Sequence, residues 1–188
     1  MNAAQRTSTT KPGLSFSFCL SKRPSENLEK LQAQIEGIYA AVSDDFLELA
    51  QLAELNPLTD FTGANLLAAE LSGISLGMAN LYQANLRGAN LTDADLSEIN
   101  GSHVSFKGAD LSGALLANAD LSYADFYRSS LALANLIGSN LEGANLVEVN
   151  ITQANLSGAK VQGAKFADNV GMTEELRENL RLRGAFCD

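Results

Sequence analysis

The chain has no tryptophan, one histidine (His103) and two cysteines, Cys19 and Cys187, which sit near opposite ends of its 188 residues. Two cysteines so placed give no disulfide framework, and with a lone histidine they give no zinc-ligand cluster. No apolar run approaches the roughly 20 residues needed to cross a bilayer. The stretch 14–20 is short and interrupted by Ser15 and Ser17, so it does not read as a secretory signal. A Gly-x-Ser-x-Gly elbow, a His-Glu-x-x-His pair, a phosphate loop and a Cys-x-x-Cys are all missing. Serine and aspartate are plentiful, but they recur at fixed intervals. His103 has only Ser102, Ser105 and Lys107 as notable neighbours, and a catalytic base needs an orienting partner. An enzyme built on His103 would require an acid, for which Asp125 is the one expected nearby. No enzymatic activity, metal, cofactor or small-molecule substrate is therefore expected.

What the chain does have is a five-residue period running from residue 59 to 168 without insertion or deletion, 22 units long. The unit reads Ala-(Asn/Asp)-Leu-x-x, as in Ala64-Asn65-Leu66, Ala89-Asn90-Leu91, Ala119-Asp120-Leu121 and Ala144-Asn145-Leu146. The large apolar centre is Leu, Ile, Val or Phe in 21 of 22 units, Gly101 being the exception. Alanine stands two residues earlier in 15 units, and Asn or Asp between them in 15. On an α-helix, five residues advance to about 140° from the starting side, so the leucines would spiral round it. On a strand, a step of five alternates faces. Either way half the leucines would face water. A solenoid that turns a corner every five residues keeps all of them inside. The alanine must also point inward, since only a small residue fits beside a large plug. The Asn or Asp then points outward or bonds local backbone. Glycine at the unit's last position (Gly63, Gly88, Gly113, Gly143 and Gly158) suits a corner that calls for positive φ.

These residues closely resemble the pentapeptide-repeat family over 110 of 188 positions. The resemblance implies an all-β solenoid, a right-handed quadrilateral β-helix with four units in each coil. Coils stacked at roughly 4.8 Å would give a rod roughly 25 Å long. The spacing of Phe106, Phe126 and Phe166 by multiples of 20 agrees with four units per coil, because they would then stack along one wall. The flanking helical segments and the ending Leu182-Arg183-Gly184-Ala185-Phe186 also resemble cyanobacterial members.

The net charge of −9 is unevenly spread. Residues 1–24 hold four basic residues, seven Ser or Thr, two prolines and no acid; they read as a disordered basic tail, and such a start also resembles an organelle transit peptide. Residues 25–56 read as an N-terminal helical cap of two helices. Ser25 caps the first, whose apolar face is Leu28, Leu31, Ile35, Ile38 and Val42. Ser43 caps the second, with Asp44 and Asp45 in its first turn and Phe46, Leu49, Ala50 and Ala53 inward; Asn56-Pro57 ends it. Residues 57–168 form the β-helix. Residues 169–188 form a C-terminal helical cap, in which Thr173 caps a helix carrying Met172, Leu176 and Leu180 inward and Gly184 closes it. A β-helix has open edges and exposed leucines at both ends, and helices across them would block end-to-end polymerisation. The 28–42 helix can alternatively serve as a dimerisation or docking surface, leaving a monomer or a helix-mediated dimer as the expected state.

At Gly101 one plug is missing while Leu96 and Phe106 keep the register. Ile99 and Val104 are large where alanine is usual. They are expected to fill the missing volume, since empty space of leucine size costs several kcal/mol.

Four units per coil sorts the outward residues by wall. Arg87, Lys107, Tyr127 and Arg128 fall on one wall, and Tyr82, Gln83, His103 and Tyr123 on the preceding wall, toward the same corner. Tyr82, Arg87, His103, Lys107, Tyr123, Tyr127 and Arg128 thus form the first candidate partner-binding site, with the composition of an interface hot spot. The same residues can equally decorate a solvated ladder, where aromatic pairs stabilise their neighbours. The opposite walls carry Glu70, Asp93, Asp95, Glu98 and Asp110, and an apolar group, Leu115, Leu133 and Ile137, which is the second candidate patch.

Three basic residues on an acidic body are too few for strong phosphate binding, so direct nucleic-acid binding is not expected. The expected function is a non-enzymatic, cytoplasmic protein–protein interaction scaffold for an unidentified protein partner, in a regulatory or assembly role in a cyanobacterium. The alternative is DNA mimicry: the resemblance implies that some members copy the charge and shape of B-form DNA, bind DNA gyrase and protect it from quinolones. Helices expected at both ends, a repeat without an inserted loop and a basic corner interrupting the acids weigh against it.

Overall fold

The computed structural model describes Asn56 and residues 61–188. The expected tail, the expected N-terminal helices apart from Asn56, and residues 57–60 lie outside the described residues. The described chain winds as a four-sided solenoid. Parallel bridges join residues 20 apart along every wall, from Asn65 with Asn85 to Asn140 with Lys160. Each wall contributes so few extended residues that longer strands occur only near the C-terminal end. There β1 (Asn145–Val147) pairs in parallel with β2 (Lys165–Ala167), and β2 with β3 (Phe186–Cys187).

The corners explain the five-residue unit. In nearly every unit the carbonyl of the centre accepts from the N–H three residues on, as from Ala64 to Phe61 at 3.0 Å and from Ala84 to Leu81 at 2.9 Å. The third residue of each turn, from Gly63 to Asp168, has positive φ in all 22 units, the arrangement of a type II turn. Thirteen of these residues are not glycine, and none of the thirteen is β-branched, as expected for a conformation such side chains tolerate worst. Asn and Asp do two jobs. The Asn85 carboxamide oxygen accepts from the Arg87 N–H, while its Nδ2 donates to Asn65 Oδ1 one coil earlier at 2.8 Å. Asn100 and Asn140 repeat the pattern with Asn80 and Asp120.

Centres and small residues fill the lumen. Most centres are wholly buried, and Phe106 stacks on Phe126 with ring centroids 5.1 Å apart; Leu146 separates Phe126 from Phe166 on that wall. Ser129 and Ser139 replace alanine at two inward positions and bury hydroxyls without a hydrogen-bond partner. In the irregular coil Ile99 and Val104 are both buried. A Cβ on Gly101 would lie 3.2 Å from Ile99 Cδ1, 3.1 Å from Leu121 Cδ2 and 3.3 Å from the Asp120 carbonyl oxygen. Ile99 therefore fills the gap as expected, helped by Leu121 from the next coil; Val104 is not among the three nearest atoms.

After the last unit the chain leaves the ladder at Gly171 (φ 85°) and forms α1 (Glu174–Leu182). Thr173 is its N-cap, accepting from the Leu176 N–H at 3.2 Å, with Glu174 and Glu175 in the first turn. Leu180 is fully buried in the core, while Met172 and Leu176 pack against it half-buried. Gly184, at positive φ, lets the chain return so that β3 joins the sheet. Among the described residues no helix is long and apolar enough to cross a membrane.

Candidate functional site

The coil repeat sets outward side chains one above another, and the candidate residues resolve into two groups on adjoining walls. The first is aromatic. His103 stacks on Tyr123 (centroids 5.1 Å, planes 9° apart), and Tyr82 meets His103 edge-on at 5.9 Å. Beyond Tyr123 the column continues with Gly143. A Cβ there would come within 2.6 Å of Tyr123 Cε1, so the ring lies flat over the glycine. Tyr123 stays 57% exposed. Both His103 and Tyr123 hold positive φ (58° and 57°), a position that nine other units give to glycine.

The second group is charged. Lys107 Nζ lies 4.8 Å and Arg128 Cζ 4.9 Å from the Tyr127 ring centroid, both within cation–π range. Arg128 Nε donates to Glu148 Oε2 at 2.6 Å, and the Tyr127 hydroxyl donates to Glu148 Oε1 at 2.8 Å. Sequence reasoning passed over Glu148. Its signal was available, because it stands one full coil after Arg128, directly above it in the column. Its presence changes the electrostatics, since Arg128 is paired and the corner is less basic than its residue types suggest. Arg87 lies on the same wall, one coil before Lys107, and its side chain joins neither group.

Pairing also sets protonation. The hydrogen bond from Arg128, then that from Tyr127, holds the Glu148 carboxyl below the usual carboxylate range. The bond to Glu148, then burial, raises the Tyr127 phenol, and Glu148 likewise raises the Arg128 guanidinium. A lowered carboxyl contributes stability above its ordinary pKa and loses it as pH falls through the lowered one. A raised phenol contributes below its ordinary pKa and loses it as pH rises through the raised one. The cluster is thus intact between those limits. In Glu148→Gln the phenolate absorbance of Tyr127, taken as wild type minus Tyr127→Phe in each background, should move to lower pH. An unmoved titration would mean that the Tyr127–Glu148 bond is not formed in solution.

The second patch stays open: Leu115, Leu133 and Ile137 are 44%, 63% and 43% exposed, and Leu133 also holds positive φ, 62°. Among the described residues, no group of three or more His, Cys, Asp or Glu is placed to hold a metal ion. Cys187 is a buried free thiol whose pKa burial pushes up, the opposite of an activated nucleophile.

The family profile and the structure of one relative, Rfr23, agree with this architecture. The family profile described as pentapeptide repeats matches residues 79–116, 102–132 and 129–168, with eight copies. No curated protein matches the chain. Among solved structures, the pentapeptide repeat protein Rfr23 from the cyanobacterium Cyanothece 51142 is 31% identical, over 58% of this chain and 88% of that one, with a TM-score of 0.56. A pentapeptide repeat protein from the Arabidopsis thaliana thylakoid lumen is 30% identical over 62% and 78% of the two chains, with a TM-score of 0.43. QnrB1, a plasmid-mediated fluoroquinolone resistance protein, is 14% identical over 71% and 88%, with a TM-score of 0.32.

Proposed function

The chain belongs to the pentapeptide-repeat family, whose members fold as right-handed quadrilateral β-helices, and on that premise we propose that it is a non-enzymatic scaffold that binds a partner protein through its aromatic–charged corner. The observation that carries this reading is the gathering of Tyr82, His103 and Tyr123 in one column with Lys107, Tyr127 and Arg128 beside it, Tyr123 being 57% exposed. Glycine is free of strain at the left-handed corners that His103, Tyr123 and Arg128 occupy, whereas a large side chain at positive φ costs of order 1 kcal/mol or more. Ten other non-glycine units share this left-handed corner, so what sets these three apart is the stacked, exposed ring pair and the clamped tyrosine that they present to solvent. Tyr and Arg are also the residues most often found at the energetic centre of an interface.

This reading makes a separable prediction. His103→Gly/Tyr123→Gly/Arg128→Gly relieves strain and should melt no lower than wild type. As bait in lysate of the source cell it should nevertheless lose a protein that wild type retains. Equal capture by both baits, or no specific capture by wild type, refutes the corner as the binding site. A regulatory or assembly role and a cytoplasmic location belong to the same proposal; the similarity to a protein from a cyanobacterium supports a cyanobacterial setting alone. We further assign residues 61–168 to the β-helix and residues 169–188 to a cap across its C-terminal end, which is supported by the burial of Leu180 in the core. DNA mimicry remains the competing reading; on the described walls its acids are interrupted by the corner above. Inhibition of gyrase supercoiling at about micromolar protein, in the affinity range of a specific complex, would favour mimicry over the scaffold.

A further inference from the structure

Each wall sends three main-chain groups toward the next coil. On the wall centred at Leu136, the Leu136 N–H donates to the Asn155 carbonyl (2.9 Å), the Gly138 N–H donates to the Ser157 carbonyl (3.0 Å), and the Ala134 carbonyl accepts from the Asn155 N–H (2.9 Å). On its other walls the final coil is answered in part by the returning chain, although the N–H groups of Gln153 and Val161 have no hydrogen-bond partner among the described residues. The Ile151 N–H donates to Val170, the Gly163 N–H donates to Gly184, and the Ala164 carbonyl accepts from Phe186. Over Leu156 the chain runs instead as α1, which is helical and offers no ladder. The N–H groups of Leu156 and Gly158 and the carbonyl of Ala154 consequently have no hydrogen-bond partner among the described residues. They border a groove of about 500 Å³ between residues 154–158 and Thr173, Glu175, Leu176, Asn179 and Arg183. Arg183 props it at fixed width, donating through Nη2 to the carbonyls of Leu156 (3.2 Å) and Ala159 and through Nη1 to Asn179 Oδ1.

We propose that this groove binds an extended peptide segment, which adds to the coil edge as one more parallel strand. The free groups dictate the register. One peptide residue donates its N–H to Ala154 and accepts from Leu156, and the residue two further on accepts from Gly158. The residue between them lies one rung above Leu156, the lumen position, and meets Leu156 and Leu176, so it is apolar and of leucine size. The residue before it falls in the column of Asn135 and Asn155, where an Asn can continue the carboxamide ladder. The rim carries one charge of each sign, Arg183 and Glu175, so the main chain and not ligand charge supplies recognition. Unpaired strand edges recruit extended chains in this way, and the groove volume lies within the usual range for ligand sites.

Amide hydrogen exchange on the full chain tests the proposal. The probe is acetyl-Ala-Asn-Leu-Ser-Gly-amide, a copy of residues 154–158; the control is the same peptide N-methylated at its Asn. In the free chain the amides of Leu156 and Gly158 should exchange at least about 100-fold faster than those of Leu136 and Gly138, as open and laddered groups do. At about 1 mM probe, a concentration that detects weak binding, they should slow by about tenfold or more. The control peptide, and the groove-filling variant Glu175→Trp at an exposed position, should abolish the slowing. Three results would overturn the proposal: Leu156 already as protected as Leu136, no slowing by the probe, or protection that rises with protein concentration alone, which would make a second copy of this chain the occupant.

Discussion

Gly101→Leu is expected to destabilise the protein by about 1–3 kcal/mol, although leucine is the commonest residue at the equivalent position of the other units. The site has no room left: a Cβ alone would press on Ile99 Cδ1, Leu121 Cδ2 and the Asp120 carbonyl oxygen at 3.1–3.3 Å, and the last of these is backbone that cannot rotate away. Ile99→Ala alone should cost about 2–5 kcal/mol, because it empties the volume that Gly101 leaves. The double variant Ile99→Ala/Gly101→Leu restores the ordinary Ala-Asn-Leu unit and should recover most of both losses, a coupling expected between residues that share one space. Thermal melts read it directly, at about 2–4 °C per kcal/mol for a chain of this size. A single Gly101→Leu variant that melts higher than wild type would mean that the coil holds a void there instead of a packed substitution. The same backbone leads into Ser102 and His103, so the overpacked variant should also disturb the His103–Tyr123 stack.

That coil shows why so much of the fold was legible. A period of five with no insertion leaves one way to bury every centre, and the phenylalanine spacing agreed with the coil length that the bridges display. Once the coil length is known, any pair one coil apart is a contact. Phe106 with Phe126, His103 with Tyr123, Lys107 with Tyr127 and Arg128 with Glu148 all follow from that rule, and the last is legible from the offset of 20 alone, since Glu148 lies outside the aromatic and basic residue types that mark the corner. Two things were not legible. Left-handed corners at Met78, Tyr123 and Leu133 are imposed by the solenoid on residues with no local preference for them. The open edge at residues 154–158 depends on the route the chain takes after its last unit, where no period holds.

Leu180→Ala is expected to remove about 2–5 kcal/mol, and the loss should be local. Leu180 is wholly buried in the apolar core and is the one α1 residue so buried. The Ala185 N–H donates to its carbonyl at 3.1 Å, and Phe186 then donates to Ala164 at 2.8 Å, so Leu180 also anchors the return of β3. In a solenoid each coil rests on its neighbours alone, and a defect at one end need not reach the other. Exchange of the amides at Gly163, Lys165 and Phe166 should accelerate strongly, while that of Leu91 and Leu111 changes little. If the C-terminal segment caps the coil as proposed, its loosening also bares apolar core and unpaired main-chain groups, the combination that drives edge-to-edge association. Sedimentation should therefore show Leu180→Ala forming larger species as concentration rises. A variant that exchanges uniformly faster along its whole length would instead show that the coils unfold as one unit. One that stays monomeric at every concentration would show that α1 contributes packing but does not guard the end.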